Sequence, residues 1–274
     1  MLLLVDLDGV VYRGGEPVPG VADVLNRRVA AGDRVIYVTN NSRSHRDEYE
    51  ARLREMGVPL GAEGEQNIVT AARAAAVLLA ESDPPPRLAM VLGGRGLARE
   101  LRDVGIPVVS PTERGLLAAP DALVVGVDFS LSYERLSIAA TAVRRGARFV
   151  ATNRDPMYPT AEGLNAGAGA IVAAIAVAAA REPDLVIGKP EPRLFAAAAE
   201  LAGIPVDEAV VIGDNLVTDI RAANAVGARS ILMLTGVTSP EEFAALGPSG
   251  IQPTAVARDA AELEAALTRL STDP

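Results

Sequence analysis

The fold is decided by the N-terminal stretch Met1-Leu-Leu-Leu-Val-Asp-Leu-Asp-Gly-Val-Val-Tyr12. Its apolar run from Leu2 to Val5 is too short for a helix and leads into two carboxylates and a glycine. This pattern is typical of a strand buried on both faces at the centre of a parallel sheet. Because strand side chains alternate, Asp6 and Asp8 start on the same face, at the strand end where open α/β sheets bind ligands. Two carboxylates about 4 Å apart repel by roughly 4 kcal/mol at an effective dielectric of 20, so the pair predicts a bound cation, a shared proton or a functional site.

Composition limits the classes of protein that this chain can belong to. Its 274 residues are enough for two lobes, and a net charge of -9 without a basic cluster argues against nucleic-acid binding. The absence of cysteine excludes disulfides and thiolate chemistry. The only histidine, His45, lies in a charged segment that predicts a solvated helix start rather than a catalytic base. No stretch reaches the ~20 strongly apolar residues that span a bilayer and the N-terminus has no signal-peptide pattern, so we expect a cytoplasmic protein without membrane contact.

Predicted strands and helices alternate along the chain in two blocks. The stiff stretch Asp83-Pro-Pro-Pro86 separates them, and the pattern of the first block resumes near Leu185. We therefore predict an α/β protein with a Rossmann-like, doubly wound parallel-sheet core at residues 1–82 and 184–274, and a second α/β lobe at residues 83–183. Within these blocks the patterns predict, among other elements, a helix over Glu65–Ala80, a loop over Asn153–Pro159 and a helix over Thr218–Val226.

Four predicted strands lead into polar residues. If the four strands share one sheet, their polar residues converge on its carboxyl edge. Each group also has a simpler explanation: Thr39-Asn40-Asn41 as a helix N-cap, Lys189 as a surface lysine, and Gly213-Asp-Asn215 as a turn. The shared position at strand ends favours a functional site. The residues are Asp6 and Asp8, Thr39 and Asn40, Lys189, and Asp214 with Asp219.

This set of residues suits phosphoryl transfer. Asp6 can attack phosphorus and carry it as an aspartyl phosphate, while Asp8 protonates the leaving oxygen and later activates water. Mg²⁺ prefers oxygen ligands, which fits Asp6, Asp214 and the backbone carbonyl of Asp8. Asp219 is predicted to pair with Lys189 or to hold a metal-bound water. The residues predicted to bind the phosphoryl oxygens or the rest of the substrate here are Thr39, Asn40, Asn41 and Lys189.

Four motifs resemble those of the haloacid dehalogenase superfamily, in the same order and strand context. They are Asp6-Leu-Asp8-Gly-Val-Val-Tyr-Arg-Gly14, Val38-Thr-Asn-Asn-Ser42, Gly188-Lys-Pro-Glu-Pro192 and Gly213-Asp-Asn-Leu-Val-Thr-Asp219. The resemblance is closest to the capped branch of p-nitrophenyl, nucleotide, phosphoglycolate and pyridoxal phosphate phosphatases. It implies that residues 83–183 form an α/β cap domain inserted between the second and third motifs.

The resemblance also implies roles for individual residues. Asp6 is implied as the nucleophile, Asp8 as the acid and base, and Asp6, Asp8 and Asp214 as the surroundings of Mg²⁺. Thr39, Asn40 and Lys189 are implied on the phosphate. The segment from Asn153 to Gly163 resembles the cap stretch that lies over the site in these enzymes. Its candidate substrate-reading residues are Arg154, Asp155 and Tyr158, for which a purely structural loop is the alternative.

The motifs predict a Mg²⁺-dependent phosphomonoesterase, and they leave alternatives open. Asp8 argues against a dehalogenase, whereas a phosphomutase or phosphotransferase keeps both aspartates. A signalling receiver uses a similar site but needs only about 120 residues, and a non-catalytic binding protein would not need every motif residue. The predicted partner is a small phosphate ester such as phosphoglycolate, glycerol phosphate, a nucleotide or pyridoxal phosphate. A homodimer through the cap is also expected from the resemblance.

Overall fold

The protein is an α/β protein with two parallel sheets, seen in a computed structural model that describes residues 1–62, 64–160, 163–246 and 250–272. The strands are β1 (Leu2–Asp6), β2 (Tyr12–Arg13), β3 (Glu16–Pro17), β4 (Arg34–Thr39), β5 (Ile68–Thr70), β6 (Ala89–Leu92), β7 (Val108–Val109), β8 (Ala122–Val125), β9 (Arg148–Ala151), β10 (Met157–Thr160), β11 (Gly163–Ala166), β12 (Leu185–Val186), β13 (Ala209–Gly213), β14 (Arg229–Met233) and β15 (Ala255–Ala257). The helices are α1 (Val21–Ala30), α2 (Arg46–Glu55), α3 (Ala71–Ala80), α4 (Arg95–Asp103), α5 (Glu113–Leu117), α6 (Tyr133–Arg144), α7 (Ala168–Ala179), α8 (Arg193–Ala202), α9 (Arg221–Ala225), α10 (Pro240–Ala245) and α11 (Ala260–Thr272).

The chain divides into two compact units. The first unit comprises residues 1–39, 47–69 and 189–274, and its sheet has the strand order β15-β14-β13-β1-β4-β5. Strand β1 lies between β13 and β4 and is parallel to both. All five residues of β1 are buried, because helices and loops cover both faces of a central parallel strand. The prediction for the opening strand is confirmed.

The second unit comprises residues 40–46 and 70–188. Its parallel sheet has the order β12-β9-β8-β6-β7. Apolar residues of this sheet, such as Phe149 and Leu123, form one core with α6 and α7. The antiparallel hairpin β10–β11 belongs to the same unit.

The division by packing differs from the predicted boundaries at residues 82/83 and 183/184. Helix α3 packs against α4, and β12 pairs with β9, so both join the second unit. The short segment 40–46 also belongs there, since the Gly96 amide donates to the Arg43 carbonyl over 3.0 Å. The names catalytic core and cap domain for these regions stay predictions.

Several local predictions are wrong. The predicted helix Glu65–Ala80 is interrupted by β5, and α3 begins only after Thr70, whose hydroxyl caps it. The last three residues of the predicted loop Asn153–Pro159 belong to strand β10 and start the β10–β11 hairpin. The predicted helix Thr218–Val226 is confirmed over most of its length, but it starts earlier, as a π-helical turn, Leu216–Ile220, that continues into α9. The strand before Lys189 lies in the second sheet, so the expectation that four strands share one sheet fails for that strand.

Among the described residues, we find no helix with the length and apolar character needed to cross a membrane.

Candidate active site

Three strands of the first sheet carry predicted site residues at their carboxyl ends. Asp6 ends β1, and Thr39 ends the neighbouring β4, which is in register with it. Asp214 follows directly after β13, on the other side of β1. The side chains of all three are buried. Parallel pairing of these strands therefore brings residues from distant parts of the sequence to one edge, as predicted.

Lys189 lies between two buried carboxylates although its preceding strand belongs to the second sheet. Its Nζ is 2.5 Å from Asp6 Oδ1 and 2.6 Å from Asp219 Oδ1. Asp219 lies in the π-helical turn, and it also accepts from the backbone amide of Asn215 over 3.2 Å. The predicted pairing of Lys189 with Asp219 is thus present. Lys189 is 3% exposed, which excludes the alternative of a surface lysine.

Asp214 is held by a loop that follows β14. Its Oδ2 accepts from the Val237 amide over 2.6 Å, and its carbonyl accepts from the Thr238 amide over 3.0 Å. Gly9 and Gly236 approach the Asp214 carboxylate so closely that a Cβ on either glycine would collide with it. Gly9 also has a φ of 82°, in the left-handed region that glycine adopts without strain.

The loop Thr235–Thr238 was missed by the sequence interpretation. It follows a predicted strand and consists of Thr-Gly-Val-Thr, which is the same kind of polar strand end that pointed to the other site residues. Thr235 also donates from its hydroxyl to the Gly9 carbonyl over 2.5 Å, so the loop supports the turn after β1. The signal was present in the sequence, but the loop contains no charged residue to draw attention to it.

The charges of this cluster are unbalanced, because three buried carboxylates face one ammonium group. Asp6, Asp214 and Asp219 each have an oxygen within 4.8 Å of the others. Burial raises the pKa of Asp6 well above its ordinary value, although Lys189 opposes the shift. Burial, followed by the charge of Asp219, raises the pKa of Asp214 to about 7. For Lys189, burial acts to lower the pKa, but the two carboxylates outweigh it and the pKa is raised.

This donor set fits a hard divalent cation. All of the grouped atoms are carboxylate oxygens, the type of ligand that Mg²⁺ prefers, and the excess negative charge is what a cation would neutralise. The grouping differs from the predicted one in that it contains Asp219 where the Asp8 carbonyl was expected beside Asp6 and Asp214. Asp219 is also bound to Lys189 and to the Asn215 amide, so its oxygens are already engaged.

Asp8 has a different environment from Asp6. It is exposed, and a turn that closes on the Leu7 carbonyl brings Tyr12 beside it. Asp8 keeps an exposed surface, but the surrounding protein desolvates its carboxylate and raises its pKa, a shift that the positive charge of Arg52 opposes. A raised pKa suits a carboxyl group that must carry a proton before it can donate one. Arg52 was not among the predicted site residues.

The other predicted substrate-binding residues lie in the second unit. The Asn40 Nδ2 donates to the Asp155 carboxylate over 3.0 Å. The Asn153 side-chain Nδ2 donates to the Asn40 backbone carbonyl over 2.7 Å. Asn41 Nδ2 donates to the Tyr158 hydroxyl over 3.0 Å. The segment after β4 and the stretch 153–158 are therefore joined by side-chain hydrogen bonds. Arg154 forms an exposed ion pair with Glu182 instead of joining them.

A second cluster of ionisable residues lies around His45 in the second unit. His45 Nε2 is 2.8 Å from Asp103 Oδ2 and 3.4 Å from Glu100 Oε1. Arg46 Nη1 is 3.0 Å from the other Glu100 oxygen, and Arg73 lies 3.9 Å from it. His45 is buried, so the prediction of a solvated position is wrong, and its partners fasten the segment 40–46 to α4.

Fold and site together define an α/β protein with buried carboxylates and a buried lysine at the carboxyl edge of a parallel sheet. Residues 3–107 match the family model described as haloacid dehalogenase-like hydrolase, and residues 186–263 match a HAD-hydrolase-like model. The chain belongs to the haloacid dehalogenase-like hydrolases, as the sequence motifs predicted.

Two relatives support this membership over most of the chain. The chain is 35% identical to an acid sugar phosphatase of Staphylococcus saprophyticus, over 95% of both proteins. It is 40% identical to the D-glycerol 3-phosphate phosphatase of Mycobacterium tuberculosis, over 86% of this chain and 64% of that protein. The alignment thus spans less than two thirds of the mycobacterial protein.

Two solved structures share the whole fold. A p-nitrophenyl phosphatase from Archaeoglobus fulgidus superposes with a TM-score of 0.88 at 31% identity, over 97% of this chain and 98% of that one. A glycerol phosphate phosphatase from Mycobacterium tuberculosis, solved in complex with magnesium, gives 0.84 at 37% identity, over 96% and 75%. At 31% and 37% identity, the similarity to these structures supports membership of the same family and not only of the same fold.

Proposed function

We propose that this protein is a Mg²⁺-dependent phosphomonoesterase that hydrolyses a small phosphorylated metabolite through an aspartyl-phosphate intermediate. The observation that carries the proposal is the buried cluster of Asp6, Asp214 and Asp219 around Lys189, whose negative charge exceeds its positive charge. Its relatives are phosphatases by name, and the magnesium complex of one of them supports the choice of metal.

In the first step, an Asp6 oxygen forms a bond to phosphorus as the bond from phosphorus to the leaving oxygen breaks. The leaving oxygen keeps the electron pair of that bond and takes a proton from Asp8, so an alcohol departs. Lys189 holds the Asp6 carboxylate at the edge of the sheet and supplies a positive charge beside it. Thr39, at the end of the adjacent strand, is proposed to donate to a phosphoryl oxygen.

In the second step, water attacks the phosphorus of the aspartyl phosphate and gives one proton to Asp8. The bond between phosphorus and the Asp6 oxygen breaks, which restores the carboxylate and releases inorganic phosphate. Asp8 is then protonated for the next cycle. A bound Mg²⁺ would neutralise phosphoryl and carboxylate charge. Asp6, Asp214 and the Asp8 carbonyl are proposed to hold it, with Asp219 in contact through water or through Lys189.

The substrate is proposed to be a small phosphate ester of the glycerol phosphate or sugar phosphate type, because the named relatives act on such compounds. Asp155 and Tyr158 are proposed to act indirectly, since their polar atoms hold Asn40 and Asn41. Arg154, which pairs with Glu182 in an exposed position, has the weakest support among the predicted substrate-reading residues.

The test is phosphate release from a panel of esters with Mg²⁺ or EDTA, for wild type and Asp6→Asn. The panel contains glycerol 3-phosphate, a sugar phosphate, phosphoglycolate, pyridoxal phosphate, a nucleoside monophosphate and p-nitrophenyl phosphate. We expect release that requires Mg²⁺ and falls by at least about 10⁴-fold in Asp6→Asn, because loss of a nucleophile removes the covalent route. Asp23→Asn makes the same chemical change at an exposed position of α1 and serves as the matched control.

An Asp6→Asn variant as active as wild type would contradict the assigned nucleophile. Transfer of phosphate between two esters without release would favour the phosphomutase or phosphotransferase alternative, and ester binding without either reaction would favour the binding protein. The cytoplasmic location and the homodimer through the cap stay predictions.

A further inference from the structure

One oxygen of the Asp214 carboxylate is occupied by the protein itself. Its Oδ2 accepts from the Val237 amide over 2.6 Å. Gly9 and Gly236 both approach this same oxygen so closely that neither residue could carry a Cβ. Backbone atoms of three residues therefore surround Oδ2, and Oδ1 is the oxygen through which a cation can approach Asp214 without displacing them.

The other two carboxylates of the buried cluster are engaged in a similar way. Asp6 Oδ1 and Asp219 Oδ1 accept from Lys189 Nζ over 2.5 and 2.6 Å. Asp219 Oδ2 accepts from the Asn215 amide over 3.2 Å. Asp6 and Asp214 thus each keep one oxygen outside these bonds. Single oxygens suit Mg²⁺, which demands near-octahedral geometry and keeps several waters, whereas Ca²⁺ takes more ligands and often binds both oxygens of a carboxylate.

The loop Thr235–Thr238 is also tied to the turn after β1. The Thr235 hydroxyl donates to the Gly9 carbonyl over 2.5 Å, and the Gly9 amide donates to the Tyr12 carbonyl over 2.7 Å. Because the peptide bond before Gly9 is trans, its amide hydrogen and the Asp8 carbonyl point in opposite directions, so the second bond fixes the direction of that carbonyl. The loop thus acts through Gly9 on a second proposed ligand.

The far end of the loop is fixed to the turn that follows β13. The Thr238 amide donates to the Asp214 carbonyl over 3.0 Å, and the Thr238 hydroxyl accepts from the Leu216 amide over 3.2 Å. Thr238 is buried, whereas the side chain of Val237 is exposed. Threonine side chains therefore anchor both ends of the loop, and the backbone between them keeps the Val237 amide directed at the carboxylate.

We propose that the loop Thr235–Thr238 is a positioning element that limits Asp214 to one ligand oxygen and thereby biases the cation site toward Mg²⁺ relative to Ca²⁺. The inference rests on the proposed function, because it requires the Mg²⁺ site proposed at Asp6, Asp214 and the Asp8 carbonyl. A carboxylate released from the loop can turn and offer both oxygens. The flexible coordination of Ca²⁺ accommodates such a change, and the strict geometry of Mg²⁺ does not.

Calorimetric titration of the metal-free protein measures the Kd for Mg²⁺ and the Kd for Ca²⁺ without any substrate. Thr235→Val removes the hydroxyl that binds the Gly9 carbonyl. We expect this variant to bind Mg²⁺ about 10-fold more weakly, the low end of what residues that orient metal ligands contribute, and to lose less affinity for Ca²⁺. The ratio of the Ca²⁺ Kd to the Mg²⁺ Kd should therefore fall. Thr235→Ser keeps a hydroxyl and should keep both constants.

The matched control is Thr268→Val in α11. The Thr268 hydroxyl also donates to a backbone carbonyl, that of Glu264, over 2.8 Å, but it lies in an exposed position of the helix. Its loss should leave both dissociation constants unchanged. Gly236→Ala places a Cβ against Asp214 Oδ2 and displaces the carboxylate, so it should weaken the binding of both cations by at least about 10-fold. This variant tests the loop even if Thr235→Val does not fold.

A loop that only supports the fold would lower the unfolding temperature of metal-free Thr235→Val and leave the ratio of the two dissociation constants as in the wild type. That result, or wild-type affinity for both cations in Gly236→Ala, would overturn the inference while the proposed function stands. A wild type that binds neither cation would instead contradict the proposed Mg²⁺-dependent function itself, which makes the two failures distinguishable.

Discussion

The two clusters of ionisable residues in this molecule contain similar groups but differ in their balance of charge. In the first unit, the carboxylates of Asp6, Asp214 and Asp219 surround the single ammonium of Lys189. In the second unit, the carboxylates of Glu100 and Asp103 face the guanidinium groups of Arg46 and Arg73, with the imidazole of His45 between them. The first cluster thus has an excess of two negative charges, and the second has none when His45 is neutral.

The difference teaches how a binding site can be told from a structural ion cluster. Buried charges are normally paired, so an excess that stays buried stabilises nothing until a ligand of opposite charge is present. The second cluster has arginines in place and joins the segment 40–46 to α4, which is a structural task. The first lies at the carboxyl edge of a parallel sheet, where ligands bind. Grouping of carboxylates by distance alone does not separate the two.

The largest expected effect is on activity, and we expect it for a substitution in the first cluster but not for the matched substitution in the second. Asp214→Asn removes a proposed metal ligand from the first cluster, and we expect kcat/KM to fall by about 10³-fold, equivalent to roughly 4 kcal/mol. We expect Mg²⁺ to raise the thermal unfolding temperature of the wild type, and this stabilisation should be absent in Asp214→Asn. Glu100→Gln is the matched control, a buried carboxyl-to-amide change in the second cluster that should keep both activity and the response to Mg²⁺. Equal responses of the two variants to Mg²⁺ would contradict the distinction between a cation-binding first cluster and a structural second cluster.

The sequence predicted the first cluster almost completely and the second not at all. Asp6, Asp214 and Asp219 could be found because they lie at or after the ends of short apolar strands, and strand ends of a parallel sheet share one edge. Lys189 was found from the same strand-end pattern, although its preceding strand lies in the second sheet. His45, Arg46, Glu100 and Asp103 lie on helices or in a loop, where charged residues are usual and only tertiary structure brings them together. Glu100 is buried on α4 beside Leu97 and Leu101, although a glutamate on an amphipathic helix is normally exposed.

The fold was predictable to a similar degree, and the errors in its prediction have physical causes. The strand Leu185–Val186 was assigned to the wrong sheet because two residues carry no information about their pairing partner, which is β9. Helix α3 followed β5 without a glycine or proline between them, so the boundary at Thr70 had only an N-cap signal. Arg52 was missed because its partner, the ring of Tyr12, lies forty residues earlier in the sequence.

A somewhat smaller effect concerns stability in the second cluster. Glu100→Ala leaves Arg46 without its closest buried partner, so we expect the free energy of unfolding in urea to fall by about 3 kcal/mol. Asp103→Ala removes a carboxylate that is 34% exposed and should cost less than about 1 kcal/mol. If Glu100→Ala costs no more than Asp103→Ala, the second cluster is not the structural ion cluster described above.

The smallest effect concerns the stability of the metal-free protein as pH rises. The Asp214 pKa is raised from its ordinary value of 3.8 to about 7 in the folded state. The folded state therefore holds a proton between these values that the unfolded state has lost, so this contribution to stability is complete below the unfolded pKa and disappears as pH rises through 7. From Asp214 alone, the free energy of unfolding should fall by about 1.4 kcal/mol between pH 6 and pH 8.

Urea unfolding in EDTA at pH 6, 7 and 8 measures the slope of the free energy of unfolding against pH. One variant from each cluster is compared with the wild type. Asp214→Asn cannot lose a proton, so its slope should be shallower than that of wild type, whereas Glu100→Gln should keep the slope that Asp214 causes. Saturating Mg²⁺ should also flatten the wild-type slope, because a cation replaces the proton as the partner of the carboxylate. A wild-type slope that Asp214→Asn leaves unchanged would mean that the excess charge of the first cluster is relieved elsewhere than at Asp214.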